Sequence, residues 1–410
     1  MLSEPAGRRV VITGLGVVSP IGVGAREYAA GLRAGRSGAK PVRGFDTTGF
    51  EHTIACEVGE FDPAAWMRTL DPAALGRASR FSVAASRMAV EDGGYADAGL
   101  RERHGLIAIG TTMGESREFD RLVGQEVAEG PARMDPATTR RINASRLSVL
   151  IARELGLTDV EAVTVPTACA AGNYAIGYGF DVIRSGEADF ALCGGADALC
   201  RKTFAGFYRL GAMAPDLCRP FDRNRQGMIT GEGAGVLLLE DLASARERGA
   251  RIHAEVLGYG LNCDASHPVA PDSGSVARCI RLALDNAGVK PQEVDFISAH
   301  GTATRANDVA EARAIRGVFG DATPRTVSMK SMLGHTLGAA SALAAIGSVL
   351  AIEGGFIPPT INHVETDPEC EVDCVPNVAV DADLRIVQNN ALAFGGNNAV
   401  LLLGRHEERS

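Results

Sequence analysis

The chain has 410 residues, 46% of them hydrophobic and 5% aromatic, with a formal net charge of −9. That size and apolar content demand more than one buried core, and the acidic balance excludes nucleic acid as a default partner. Nine cysteines without a CxxC pair or a dense spacing pattern exclude a disulfide framework and point to a reduced, cytoplasmic protein. The first residues lack a signal-peptide pattern, and no stretch reads as a membrane span.

The elements alternate. Residues 9–14 (RVVITG) read as a buried strand ending in glycine, 28–34 as a helix and 36–65 as irregular. Residues 71–94 carry Phe81, Ala85 and Met88 on one helical stripe. A strand follows at 106–110, with the loop TTMGES behind it. Mixed charges, Pro and Gly make 119–142 an exposed excursion, and 145–155 is helical. The run Val163-Thr164-Val165 reads as the end of a buried strand. Then come a strand at 190–193, a polar loop at 214–230, the strand VLLLE and a charged helix at 240–249.

A second cycle starts with another glycine-ended strand at 254–260. It continues with a helix at 275–287, a strand at 294–298, a helix at 307–319 and a strand at 325–328. An alanine-rich buried helix covers 337–352, a polar segment 362–375 and a closing strand 399–403. Alternating strands and helices predict α/β layers. The repeated opening strand predicts two similar halves, residues 1–255 and 256–410.

One stretch carries the chemistry. After Val165, Cys169 sits in the small-residue run ACAAG. Ile176, Phe180 and Ile183 then form one helical stripe, closed by Gly186. Cys169 therefore belongs where a strand turns into a helix N-terminus. There the free N–H groups favour a thiolate and can hold an oxyanion. An isolated cysteine is more often a small core residue, so partners decide the matter. Three other glycine-flanked stretches follow predicted strands: SAHGTAT with His300, MKSMLGH with Lys330 and His335, and AFGGNNA with Phe394. In parallel α/β sheets, sites gather at such strand ends. Lysine is scarce, at Lys40, Lys202, Lys290 and Lys330 only, so one beside a candidate site stands out. No metal-ligand cluster is visible.

TACAAG, HGTAT, KSMLGH and FGGNNA, in this order, resemble the β-ketoacyl synthases, elongating condensing enzymes of the thiolase superfamily. The likeness runs from VVITGLGVVSPIG to the last strand. It implies a thiolase-like fold: two halves, each a mixed five-stranded sheet, packed as five αβαβα layers in a dimeric protein. It further implies that Cys169 carries the acyl chain, with the N–H groups of Cys169 and Phe394 as oxyanion hole. His300 and His335 would serve malonyl decarboxylation, with Lys330 paired to Glu311. Thr302 and Thr304 would bind the pantetheine arm, beside the glycine-rich loop of Phe394, Gly395 and Gly396, and Met113 would gate the acyl pocket. Substrates would arrive on the phosphopantetheine of an acyl carrier protein, with no metal or redox cofactor. The dimer partner would be a second copy or a chain-length-factor-like subunit.

Some positions depart from the family pattern. Ala393 stands where glycine is usual, Asn397 where Thr or His is common, and Val269 and Ala270 where hydroxyl residues often stand. These lean toward the ketosynthase subunit of a dissociated, type II polyketide system over a housekeeping fatty-acid synthase. The termini, without linkers or a second catalytic domain, lean away from a multidomain module. A degradative thiolase would carry a second cysteine where FGGNNA stands. A non-catalytic chain-length subunit would lack the cysteine. For carrier docking, Arg77, Arg80, Arg133, Arg201 and Lys202 are candidates.

Overall fold

Residues 7–95 and 99–407 are described by a computed structural model. The first five principal strands are β1 (Val10–Ser19), β2 (Gly105–Gly110), β3 (Val160–Val165), β4 (Phe190–Asp197) and β5 (Gly233–Asp241). They lie in the order β3-β2-β4-β5-β1. The next five are β6 (Ala254–Cys263), β7 (Phe296–Ser298), β8 (Arg325–Val327), β9 (Ile386–Leu392) and β10 (Asn397–Gly404). Their order, β8-β7-β9-β10-β6, is the same permutation. The directions repeat as well: β2 is parallel to β3 and β4, as β7 is to β8 and β9, and the remaining neighbours are antiparallel. The two sets join through β1 and β6, with Val10 opposite Val256 and Ile12 opposite Ala254.

The longer helices are α1 (Ala25–Arg33), α2 (Arg77–Asp92), α3 (Ser116–Glu129), α4 (Arg146–Leu155), α5 (Ala171–Ser185), α6 (Arg201–Arg209), α7 (Ser273–Ala287), α8 (Arg305–Phe319) and α9 (Ala340–Gly354). Successive strand residues point to opposite faces, so each sheet sorts its side chains between two cores. Ile107, Ile109 and Leu238 face outward onto α2 and α4. Leu106, Ala108, Leu237 and Leu239 face inward onto α5 and α9. In the second set Ile297, Val400 and Leu402 meet α7 and α8, while Phe296, Leu401 and Leu403 meet the same central pair. The result is the expected five-layered thiolase-like fold, with α5 and α9 as its middle layer.

Alanine and glycine let that layer close. A Cβ on Gly172 of α5 would lie 2.7 Å from the Ala342 nitrogen of α9. Every residue of α9 from Ala340 to Ile352 is buried. The segment Leu337–Gly354 is long and apolar enough to cross a membrane, contrary to the expectation that no stretch is, but 89% of it is buried inside the protein.

Four local expectations change. Residues 119–142 contain most of helix α3, whose buried Glu118 and Leu122 anchor an otherwise exposed element. The strand ending at Val165 is an edge strand, half-buried along most of its length. Helix α6 and strand β9 were not anticipated from the sequence. The direct pairing of Lys330 with Glu311 does not form, as the site geometry below shows.

His253, at the start of β6, has Nδ1 2.9 Å from Glu353 of α9 and Nε2 2.9 Å from Asp92 of α2. Arg251 also binds Glu353. Burial alone would lower the His253 pKa, but the two carboxylates outweigh it and raise it from 6.5 to about 9. The raised folded value means this stabilisation is complete below about pH 6.5 and disappears as pH rises through 9. The expected result is that wild type loses about 3 kcal/mol more stability than His253→Gln between pH 6 and 10, measured by urea unfolding. Parallel pH profiles for the two proteins would refute the charged clamp.

Candidate active site

Four loops converge at the C-terminal ends of parallel strands or beside them. After β3 the chain makes one turn of 3-10 helix, Ala168–Ala170, before α5. Ala168 has φ 52°, a left-handed conformation that costs a non-glycine residue of order 1 kcal/mol and swings Cys169 to the helix start. The second half repeats this device. The turn Leu337–Ala339 precedes α9, with Leu337 at φ 57°. Gly338 occupies the place corresponding to Cys169. A Cβ there would lie 2.5 Å from the Thr111 Cα, so the second elbow closes tightly where the first holds a thiol.

Cys169 is 5% exposed. Burial pushes its thiol up to about 11, against the opposing pull of Lys330 and of the Phe394 and Cys169 N–H groups. The expectation of a resting thiolate is thus corrected: desolvation outweighs the helix terminus. The same N–H groups remain directed at the sulfur, where an oxyanion would form.

His300 and His335 sit with ring centroids 5.4 Å apart and nearly perpendicular. Burial first, then the Lys330 charge, holds both well below the usual histidine range, so both are neutral near pH 7. Their tautomers follow from their partners. The Leu337 N–H donates to Nδ1 of His335 at 3.1 Å. Lys330 Nζ lies 3.3 Å from Nδ1 of His300 and donates to the His300 carbonyl at 2.5 Å. With Nδ1 accepting in each ring, each neutral imidazole carries its proton on Nε2. Cys169, His300 and His335 line one pocket.

Glu311 accepts the N–H groups of His300 and Gly301, both at 2.8 Å, and the Asn390 side chain at 3.0 Å. It acts on Lys330 through its field, raising a pKa that burial lowers, without a direct ion pair among the described residues. The carboxylate therefore shapes the His300 loop, and Lys330 bonds to that loop directly.

Thr302 and Thr304 line the pocket with their hydroxyls 2.8 Å apart. Phe394 and Gly396 line it too. Gly395 and Gly396 have φ 87° and 85°. The Gly395 N–H donates to the Pro268 carbonyl at 2.9 Å, tying this loop to the segment holding Val269 and Ala270. Phe394 is partly exposed, its ring 5.9 Å from Phe207. Met113 is not a wall of this pocket. It packs in the adjoining apolar cluster of Phe204, Phe207 and Leu337. Arg77 chelates buried Glu232, and Arg80 holds the Pro72 and Leu75 carbonyls, so both have structural work. Arg201 and Lys202 lie over Phe50 and Phe119, and Arg133 is exposed.

Asp197 went unnoticed in the sequence. Fully buried at the end of β4, it accepts the Thr111 hydroxyl and the N–H groups of Thr112, Met113 and Gly338. It binds the Met113 loop to the loop behind His335. Its only sequence signal is an acidic residue at the end of an otherwise apolar strand. The buried set Asn173, Ser341 and Asn389, which fastens α5 to α9 and β9, was also missed.

A buried cysteine at a strand-to-helix elbow, facing two neutral N–H donors within five layers, defines a thiolase-type acyl-transferring enzyme. Known proteins agree. The β-ketoacyl synthase N-terminal domain matches residues 7–245, and the β-ketoacyl synthase C-terminal domain matches 253–364. The 3-oxoacyl-[acyl-carrier-protein] synthase 2 of Synechocystis sp. is 36% identical, over 98% of this chain and 99% of its own. Among solved structures, a chain of the ishigamide ketosynthase/chain length factor is 63% identical, with TM-score 0.97, covering 98% of this chain and 100% of its own. A chain of the AntDE:AntF complex, a type II PKS acyl-carrier protein with its ketosynthase bound to the hexaketide, is 30% identical with TM-score 0.89 and the same coverages. The chain belongs to the β-ketoacyl synthase family and is an acyl-transferring condensing enzyme.

Proposed function

We propose that this protein is the ketosynthase subunit of a type II polyketide system, using Cys169 as acyl carrier and His300 and His335 as enolate stabilisers. The observation that carries the reading is the meeting of one buried thiol and two histidines in a single pocket, each histidine with Nδ1 engaged by a donor. In the first half-reaction Cys169 exchanges its S–H proton for the acyl group of a carrier-bound thioester, releasing the carrier thiol. The tetrahedral oxyanion rests on the N–H groups of Cys169 and Phe394. In the second, malonyl thioester enters along Thr302 and Thr304. Its thioester oxygen takes hydrogen bonds from both histidines as carbon dioxide departs, and the enolate carbon attacks acyl-Cys169. The products are the 3-ketoacyl thioester and the Cys169 thiolate, which the field of Lys330 stabilises.

The substrate arms are phosphopantetheine on an acyl carrier protein, and the steps call for no metal or redox cofactor. The kinship with the ishigamide ketosynthase/chain length factor supports a polyketide role and a chain-length-factor-like partner subunit. The half-buried edge strand β3 suits a second chain. The resemblance to 3-oxoacyl-[acyl-carrier-protein] synthase 2 supports the alternative, a homodimeric fatty-acid elongating enzyme. Either form is a cytoplasmic enzyme whose halves divide near residue 255, the first carrying the nucleophile and the second both histidines. Co-expression with neighbouring genes, purification and mass spectrometry of the active-site peptide test this. The expected result is a polyketide acyl adduct on Cys169 and a co-purifying homologous chain. A saturated fatty acyl adduct on a homodimer would select the alternative.

A further inference from the structure

The pocket that holds Cys169, His300 and His335 contains no arginine or lysine among its described lining residues. Its wall reaches Pro271, which also lines an open cleft. That cleft is bounded by Pro271, Asp272, Ser273, Arg305, Arg313 and Glu369. Arg305 follows Thr304 directly, and its side chain is 82% exposed. It lies 3.1 Å from Glu369, which Arg313 also approaches at 3.5 Å. Two guanidinium groups thus share one carboxylate. Asp272 is engaged elsewhere, accepting the Ser275 N–H as the cap of α7.

A carrier arm has its own charge pattern. The thioester and amide portion is neutral, and one phosphodiester, anionic at every working pH, joins it to the carrier's serine. The pocket's charged lining residue, Asp264, is tied up by the Asn398 amide and the Asp272 N–H, and beyond it the cleft sets two guanidinium groups against the one carboxylate of Glu369; that sequence of groups matches the arm's order. We infer that Arg305 is a substrate-positioning residue that binds the phosphodiester of the incoming carrier arm, with Glu369 as the competing partner that releases it. The inference rests on the condensing reading given above. A guanidinium suits the role because it presents paired donors to phosphate oxygens. Solvent exposure keeps the effect modest and salt-sensitive.

The test uses malonyl phosphopantetheine and malonyl pantetheine, which differ only by the phosphate, together with malonyl-loaded carrier protein. The readout is the ratio of kcat/KM between the phosphorylated and unphosphorylated small donors, which cancels any general loss of folded enzyme. Arg305→Ala is expected to lower that ratio roughly three- to fivefold, Arg305→Lys to restore part of it, and Glu369→Gln to raise it. A ratio unmoved in all three variants would overturn the assignment. So would a loss confined to the carrier-bound donor, which would assign Arg305 to the carrier's protein surface. If the wild-type enzyme neither acylates Cys169 nor releases carbon dioxide from either small donor, the condensing reading falls instead.

Discussion

Replacing Cys169 by alanine is expected to abolish acyl loading, lowering condensation by roughly 10⁴-fold or more. Among the described lining residues of the pocket, Cys169 is the one that can form a thioester. The substitution removes one buried atom in a run of alanines, so the melting temperature should stay near wild type. The histidines are untouched, and carbon dioxide release from malonyl thioester should persist. Radiolabelled acyl-carrier protein and gel fluorography would check the loading. Label retained covalently by the variant would show that another residue is the nucleophile.

The second large effect is expected at His335. Its Nε2–H is held toward the pocket by the Leu337 N–H on the opposite nitrogen. His335→Ala removes one of two donors to the developing enolate, and loss of one such donor costs about 10²- to 10³-fold. Decarboxylation should fall by that factor while acylation of Cys169 stays detectable. Carbon dioxide release at the wild-type rate would refute the role. There is a pH corollary. Both histidines are held well below their usual range, so each is already neutral at pH 6.5. Decarboxylation by the wild-type enzyme should therefore stay flat from pH 6.5 to 8. A rise with a midpoint near 7 would mean that at least one ring is charged in the resting site.

The four loops that meet at the pocket were legible because each sets a distinctive side chain beside glycines at a strand end. The Cys169 helix was legible from its stripe and from Gly186, which closes it in the left-handed conformation at φ 81°. The α/β layering was legible from alternation, the five-layer packing only from the family resemblance. Strand β9 was hidden because its centre is Gln388-Asn389-Asn390, which reads as a polar turn. In the fold these three amides are buried: Asn389 binds Asn173 and Asn390 binds Glu311. Pattern reading assigns polar residues to the surface, whereas here they are the fastening between layers. The Cys169 pKa misled for a related reason. A helix start is a local feature, but burial depends on how Phe394 and the second half close over it. Lys330 and Glu311 illustrate the remaining gap: opposite charges on neighbouring loops suggest an ion pair, yet each has a better partner in the His300 backbone.

The central helix pair has a consequence for how the molecule gains and loses its structure. Helix α9 belongs by sequence to the second half, but its buried residues join the inner faces of both sheets in one core. A fragment cut near residue 255 would leave the first set of strands without one of the two helices on its inner face. The other fragment would present a long aliphatic helix to water. The strand order repeats, yet folding treats the two sets as one unit. Unfolding should be a single cooperative event, and separately expressed halves should aggregate unless they are made together and allowed to trap one another.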